Sequence, residues 1–182
     1  MKYFYIHGLN GTGNNATTQL SEILETTVER LEWDSHKPYN ENYQNIKTVL
    51  DKESDFILMG SSLGGFYTLN LANDYKIPCA VFNPAINPKK SFKNIKDIDF
   101  YKNIPLNNLV DSYDFKTNYT TLPRLIVVGL NDKIVNPFDT IERWKGKCNL
   151  IQTNDEHQIK DFKPFKDAIK HLTTPLFAES IL

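Results

Sequence analysis

Cysteine is scarce, with two in 182 residues. Cys79 and Cys148 each lie in an apolar stretch, Cys79-Ala80-Val81-Phe82 and Cys148-Asn149-Leu150-Ile151. They read as small buried hydrophobes rather than as a disulfide framework. Charge of one sign is missing too, since 21 Lys+Arg against 22 Asp+Glu leave a formal net charge of −1. Without a basic field, a nucleic-acid partner is not expected. No apolar run approaches the roughly 18 residues of a membrane span, so no membrane partner is expected either. Tyr3-Phe4-Tyr5-Ile6 runs straight into His7-Gly8 with no long apolar leader core, and the expected compartment is the reducing cytoplasm. Repeats and low-complexity tracts are absent. Asp155, Glu156 and His157 are adjacent potential ligands, but no second cluster completes a metal site. No metal and no cofactor is expected.

What is present is an alternation of apolar runs and helical patterns. Strands are expected at Lys2–Ile6, Asp55–Met59, Cys79–Phe82, Arg124–Gly129 and Lys147–Gln152, with a short one at Trp33–Lys37. Helical spacing of apolar residues predicts helices over Ala16–Leu31, Tyr43–Lys52, Gly65–Ala72, Pro137–Lys145 and Ile159–Leu172. This rhythm argues an α/β fold with a mostly parallel sheet and helices on both faces. The length favours a single domain over 1–182 that buries roughly 70% of its unfolded surface. Only Pro84 to Pro123 breaks the rhythm. It is rich in Asn, Lys, Asp and Pro, and it is too long for an ordinary connection. A cap-like insertion over 84–123 is expected there.

The most specific motif is Gly60-Ser61-Ser62-Leu63-Gly64, a G-x-S-x-G pattern between an apolar run and a helical one. A nucleophilic serine presented on a tight strand-to-helix turn needs small residues two positions away on either side. Ser62 is therefore the candidate nucleophile. A serine hydroxyl needs a base to take its proton, and that base needs a carboxylate to hold its tautomer. In chain order, Asp132 follows the Arg124–Gly129 strand and His157 follows the Lys147–Gln152 strand. Both land at carboxyl ends of strands, where open α/β sheets place their sites. Asp155, two residues from His157, is the competing carboxylate. His36 and His171 read as surface residues, and His7 as orienting the loop after the first strand. Two backbone N–H donors for a developing oxyanion are assigned to Leu63, after the nucleophile, and to Leu9 in His7-Gly8-Leu9-Asn10-Gly11. In that same loop Gly11-Thr12-Gly13-Asn14-Asn15-Ala16 fits the dinucleotide pattern G-x-G-x-x-G/A. It starts too far past the strand end for that role, and no Gly-Lys-Ser/Thr follows to make a phosphate loop.

Tyr5-Ile6-His7-Gly8-Leu9-Asn10, the serine motif with Gly65, Asn83-Pro84-Ala85, Gly129-x-x-Asp132 and the late His157 together resemble the small bacterial YqiA-like (YcfP-like) esterase family of the α/β-hydrolase superfamily. The resemblance runs from about Lys2 to Leu172. It implies a compact single-domain α/β-hydrolase that cleaves small acyl esters or thioesters without a cofactor in the cytoplasm. It carries the nucleophile to Ser62, the acid to Asp132 and the base to His157. Two departures stand out. Asn154-Asp155-Glu156 replaces the family's Gly-Gly before the histidine, and Gly11 and Thr12 replace its small serines. The alternatives are a peptidase using the same residues and a hydrolase-fold binding domain with a vestigial site.

Overall fold

Strands β1 (Lys2–Ile6), β3 (Phe56–Ser61), β4 (Cys79–Phe82) and β5 (Arg124–Gly129) are apolar runs, and each lies in the interior of one sheet. The less buried β2 (Val28–Leu31) and β6 (Asn149–Thr153) close its two edges. The computed structural model describes residues 1–109, 112–113 and 124–172. Among them the sheet has six strands in the order β2-β1-β3-β4-β5-β6, every neighbouring pair parallel. The chain steps outward from β1 to β2, then crosses back to β3 on the other side of β1. That reversal makes a crevice at the carboxyl ends of β1 and β3, where such sheets bind ligands.

Because strand side chains alternate, each interior strand feeds two separate cores. Phe4, Ile6, Leu58, Val81, Ile126 and Val128 face one side. Tyr5, Ile57, Met59, Ala80, Phe82, Leu125 and Val127 face the other. The first side is covered by α2 (Tyr39–Leu50), α3 (Ser62–Tyr75), α4 (Pro88–Ile95) and α6 (Pro137–Trp144), the second by α1 (Asn14–Leu24) and α7 (Lys166–His171). Each fully buried Leu or Phe contributes about 1.5–3 kcal/mol relative to exposure, so both faces are needed. Helix α3 is buried continuously from Leu63 to Ala72. It is therefore a central helix, without the single apolar stripe that its sequence pattern predicts.

Three expected elements differ. The helix expected over Ala16–Leu31 stops at Leu24, where Glu25 takes a left-handed φ of 58°. The chain turns back, Thr26 N–H donates to Ser21 O and Val28 N–H to Ser21 Oγ, and Val28–Leu31 becomes β2. Val28 and Leu31 sit three apart, as on a helix, but as strand residues they enter opposite cores. Trp33–Lys37 is a turn, held by the Asn42 side chain, which accepts from Asp34 N–H and donates to the Asp34 and Lys37 carbonyls. The helix expected over Ile159–Leu172 begins late. Ile159–Phe162 is irregular, Lys163–Phe165 is a 3-10 turn containing Pro164, and α7 follows. Pro164 has no N–H to donate into a regular ladder.

The described part of the 84–123 insertion holds α4, a 3-10 turn at Asp99–Tyr101 and α5 (Leu106–Leu109). It is anchored rather than merely solvated. Phe92, Ile95, Ile104, Leu109 and Tyr113 join the first core, and the Tyr113 and Tyr67 hydroxyls share a 3.0 Å hydrogen bond. Residues 110–111 and 114–123 lie outside the described residues. None of the helices among the described residues is long and apolar enough to cross a membrane.

Candidate active site

Ser62 stands where β3 becomes α3, with a left-handed φ of 53°. A non-glycine residue held there costs about 1–3 kcal/mol, which its surroundings must offset. Its neighbours show how the turn is kept tight. A Cβ on Gly64 would run into the Ile6 and His7 carbonyl oxygens, and one on Gly60 would come within 2.7 Å of Gly64 O. The start of α3 can therefore press against the end of β1 only if both positions are glycine. On the far side Ala85 N–H donates to Ser62 O at 2.9 Å.

The three candidate side chains meet. His157 Nδ1 lies 2.8 Å from Asp132 Oδ2, and His157 Nε2 lies 2.9 Å from Ser62 Oγ. A carboxylate only accepts, so Nδ1 carries the proton and Nε2 is left to accept from the serine hydroxyl. The Asp132 side chain is 1% exposed and that of His157 is 15%. The carboxylate is thus walled in while the imidazole edge reaches the cleft. Asp132 Oδ1 is fixed by the N–H groups of Ile134 and Val135 at 2.8 and 2.9 Å. This leaves Oδ2 aimed at the ring.

The competing groups are occupied elsewhere. Asp155 Oδ2 accepts from the Thr153 hydroxyl at 2.8 Å and does not pair with His157. Ser61, adjacent to Ser62, also lines the cleft, but its Oγ accepts from Tyr5 OH at 2.7 Å. Burial pushes the Tyr5 phenol up to about 12, so it stays a donor there. His36 is exposed beside Asp34, and His171 is exposed with Nδ1 on Asp167 O. The loop Asn154-Asp155-Glu156 still delivers His157 without its own glycines. Gly129 opposite supplies the room: a Cβ there would sit 2.5 Å from Asp155 O and 2.8 Å from Glu156 O.

A cleft of about 390 Å³ opens over Ser62 and His157. Its walls come from the loop around Leu9 to Asn15, from Ile159 and Phe162, and from Phe100 and Tyr101 of the insertion. None of its described lining residues is Lys, Arg, Asp or Glu. The loop is tied down at three points. Asn10 N–H donates to Ser35 Oγ, Asn10 Nδ2 to Phe100 O, and Arg30 to Thr12 O, each at 2.7 Å. Asn10 thereby clamps the loop to the insertion, a contact with no reactive signature in the sequence. Leu9 lines the cleft, and Leu63 occupies the first turn of α3, where N–H groups have no intrahelical acceptor.

His7 orients that loop, as its position after β1 suggested. It is 4% exposed, stacks on Trp33 at 5.2 Å, and donates from Nδ1 to Gly8 O at 2.8 Å. Trp33 Nε1–H in turn donates to His7 O at 2.9 Å. Burial holds the His7 pKa below its ordinary 6.5, against the opposing pull of the Gly8 carbonyl and Glu32. The unfolded chain therefore takes up this proton first. Stability from neutral His7 is complete above pH 6.5 and is lost as pH falls toward the depressed folded value. Urea titrations at a series of pH values should show unfolding free energy dropping from 6.5 downward, with a shallower slope in His7→Gln. Equal slopes in the two proteins would remove His7 from the effect.

A strained serine on a strand-to-helix turn, a parallel sheet with its switch point at that turn, and an aspartate and histidine on the next strand ends define an α/β-hydrolase fold. Solved structures with the same architecture include Est1E from Butyrivibrio proteoclasticus with ferulic acid bound, at TM-score 0.73 and 20% identity over 94% of this chain and 87% of that one. A monoacylglycerol lipase from Paleococcus ferrophilus matches at TM-score 0.66 and 19% identity over 93% of each chain. Alpha/beta hydrolase domain-containing protein 10 from mouse matches at TM-score 0.68 and 16% identity, over 94% of this chain and 88% of that one. The chain itself belongs to the family described as "Uncharacterised protein family (UPF0227)", whose model matches residues 2–174. This is the YqiA-like (YcfP-like) family to which its motifs point. Curated protein sequences give no match.

Proposed function

We propose that the protein is a serine esterase or thioesterase acting on small acyl substrates through Ser62, His157 and Asp132. The observation that carries this reading is the unbroken hydrogen-bonded relay from Asp132 through His157 to Ser62 at the floor of the cleft. Ser62 Oγ attacks the acyl carbonyl carbon as Nε2 takes its proton. The carbonyl oxygen becomes an oxyanion, held by the N–H groups of Leu63 and Leu9. Collapse of this intermediate breaks the bond to the leaving group, which receives the proton from Nε2. Water then attacks the acyl carbon as Nε2 takes its proton. Collapse of the second oxyanion breaks the bond to Ser62 Oγ, which receives the proton from Nε2 as the acid leaves. Asp132 keeps the imidazole in the accepting tautomer and stabilises the imidazolium between steps. Every group on this route comes from the chain or from water.

The cleft favours an uncharged acyl group, because no ionic side chain among its described residues faces one. Its volume lies at the small end of ligand pockets, which run from about 300 to 1,000 Å³. Phe100 and Tyr101 place the insertion at the mouth, where it would set acyl preference. The name of one structure with this fold, a monoacylglycerol lipase, is in keeping with ester chemistry. A panel of matched esters, thioesters and amides with short and long acyl groups tests the reading. Hydrolysis of short neutral esters or thioesters should exceed that of the amides, and kcat/KM should climb with pH and then level off as the base loses its proton. Amide cleavage as the dominant activity would make the protein a peptidase. No turnover anywhere in the panel would leave it a binding domain.

A further inference from the structure

Asn83-Pro84-Ala85 contributes no group to the relay, yet it touches the main chain of two of its members, His157 and Ser62. Asn83 is 1% exposed at the end of β4 and has a left-handed φ of 45°. Its Oδ1 accepts from Gly129 N–H at 2.6 Å. Its Nδ2 donates to Glu156 O at 2.9 Å and to His157 O at 3.0 Å. The amide orientation is dictated by these partners, since the reverse would set an oxygen against two carbonyls and an NH₂ against an N–H. Its backbone N–H donates to Val127 O at 2.8 Å. Two residues on, Ala85 N–H holds Ser62 O at 2.9 Å. Between them Pro84 packs against Gly65, where a Cβ would lie 2.9 Å from the proline ring.

We infer that Asn83 is a positioning residue for His157, and that the Asn83-Pro84-Ala85 segment sets the spacing between His157 and Ser62. The inference rests on the esterase reading for its kinetic consequence, though not for its geometry. His157 follows β6, which is an edge strand among the described residues. The loop that carries His157 therefore needs a hold from inside the sheet. Asn83 supplies it from β4, two strands away, by binding the main chain of the histidine itself. The same short segment holds the Ser62 carbonyl, so the Oγ to Nε2 distance of 2.9 Å is fixed from a single piece of backbone. Displacing reacting groups by about 1 Å costs on the order of 10² in rate.

The left-handed backbone restricts the residue types that fit, and the ones that fit separate the side chain's tasks. Glycine keeps the conformation and deletes the amide. Aspartate tolerates it and keeps the shape, but turns an anionic acceptor toward the two carbonyls. In Asn83→Gly, kcat for a short ester should fall about 10–100-fold while KM stays within about twofold, because geometry at the reacting groups is lost and substrate contacts are not. The low-field proton resonance of His157 Nδ1–H should broaden or vanish. In Asn83→Asp the added negative charge should favour the imidazolium and move the rising limb of kcat/KM to higher pH. A residue with a purely structural task would lower the melting temperature and leave kcat, the resonance and the pH profile as they are well below that temperature. A folded Asn83→Gly with kcat within about twofold of the parent and the resonance intact would overturn the inference. If Asn83→Gly does not fold, Asn83→Asp carries the same test. Absence of any Ser62-dependent turnover in the parent protein would sink the esterase reading alone, and the Nδ1–H resonance in the two variants would still decide the role of Asn83.

Discussion

Replacing Ser62 with alanine should abolish labelling by a fluorophosphonate and lower ester hydrolysis by roughly 10⁴ or more, as nucleophile deletions do in other serine hydrolases. The melting temperature should barely move. Only Oγ is lost, and its partner among the described residues is the imidazole of His157. The backbone bond from Ala85 to Ser62 O and the close contacts at Gly60 and Gly64 remain. The neighbouring serine is not set up to take over, because Ser61 Oγ accepts from Tyr5 OH while His157 Nε2 pairs with Ser62 Oγ. Labelling that survives in Ser62→Ala, or that maps by mass spectrometry to Ser61, would contradict the assignment.

The second large effect separates two carboxylates. Asp132→Asn should keep the fold and reduce kcat by about 10²–10⁴. The amide can still accept from Ile134 and Val135, but its NH₂ then faces His157 Nδ1. That contact forces the ring proton onto Nε2, where it points at Ser62 Oγ and blocks proton uptake. Asp155→Asn should cost less than about tenfold, since its partner is the Thr153 hydroxyl rather than the imidazole. The ratio of the two effects is the measurement. If Asp155→Asn proves the more damaging, the aspartate pairing described above does not operate during turnover.

Much of this candidate site could be read from the sequence because its residue types are chemically distinctive and their chain order is constrained. Ser62 is marked by the glycines that its turn requires. Asp132 and His157 are marked by following apolar runs that can only be interior or edge strands. Strands β1, β4 and β5 have the expected bounds for the same reason, being short apolar runs with helical segments between them. The failures have equally physical causes. Val28 and Leu31 satisfy a helical period and an opposite-face strand at once, so only tertiary packing decides between them. Trp33 is apolar and packs its ring on His7 and Tyr67 from a turn, and a single buried ring looks the same in the sequence whether a turn or a strand carries it. Asn83 and Asn10 act through amides bonded to main chain far away in sequence, and such bonds leave no periodicity. Pro84 to Pro123 looks polar, yet Phe92 and Tyr113 dock into the core.

The all-parallel sheet also governs when the relay can come into being. Parallel neighbours cannot be joined by hairpins, so each pairing waits for a crossover to close. Folds dominated by such non-local pairings are slow to form. Ser62 and His157 are separated by 95 residues, and β6, which delivers the histidine, is among the described residues both the last strand in the sequence and the outermost beside β5. During synthesis the serine turn therefore emerges well before its partners. A chain interrupted between β5 and β6 would present a bare β5 edge, apolar from Leu125 to Val128, the kind of surface that recruits other chains. Docking of β6 thus completes the relay and covers that edge in one event. Hydrolytic capacity and resistance to aggregation would be acquired together, late in folding.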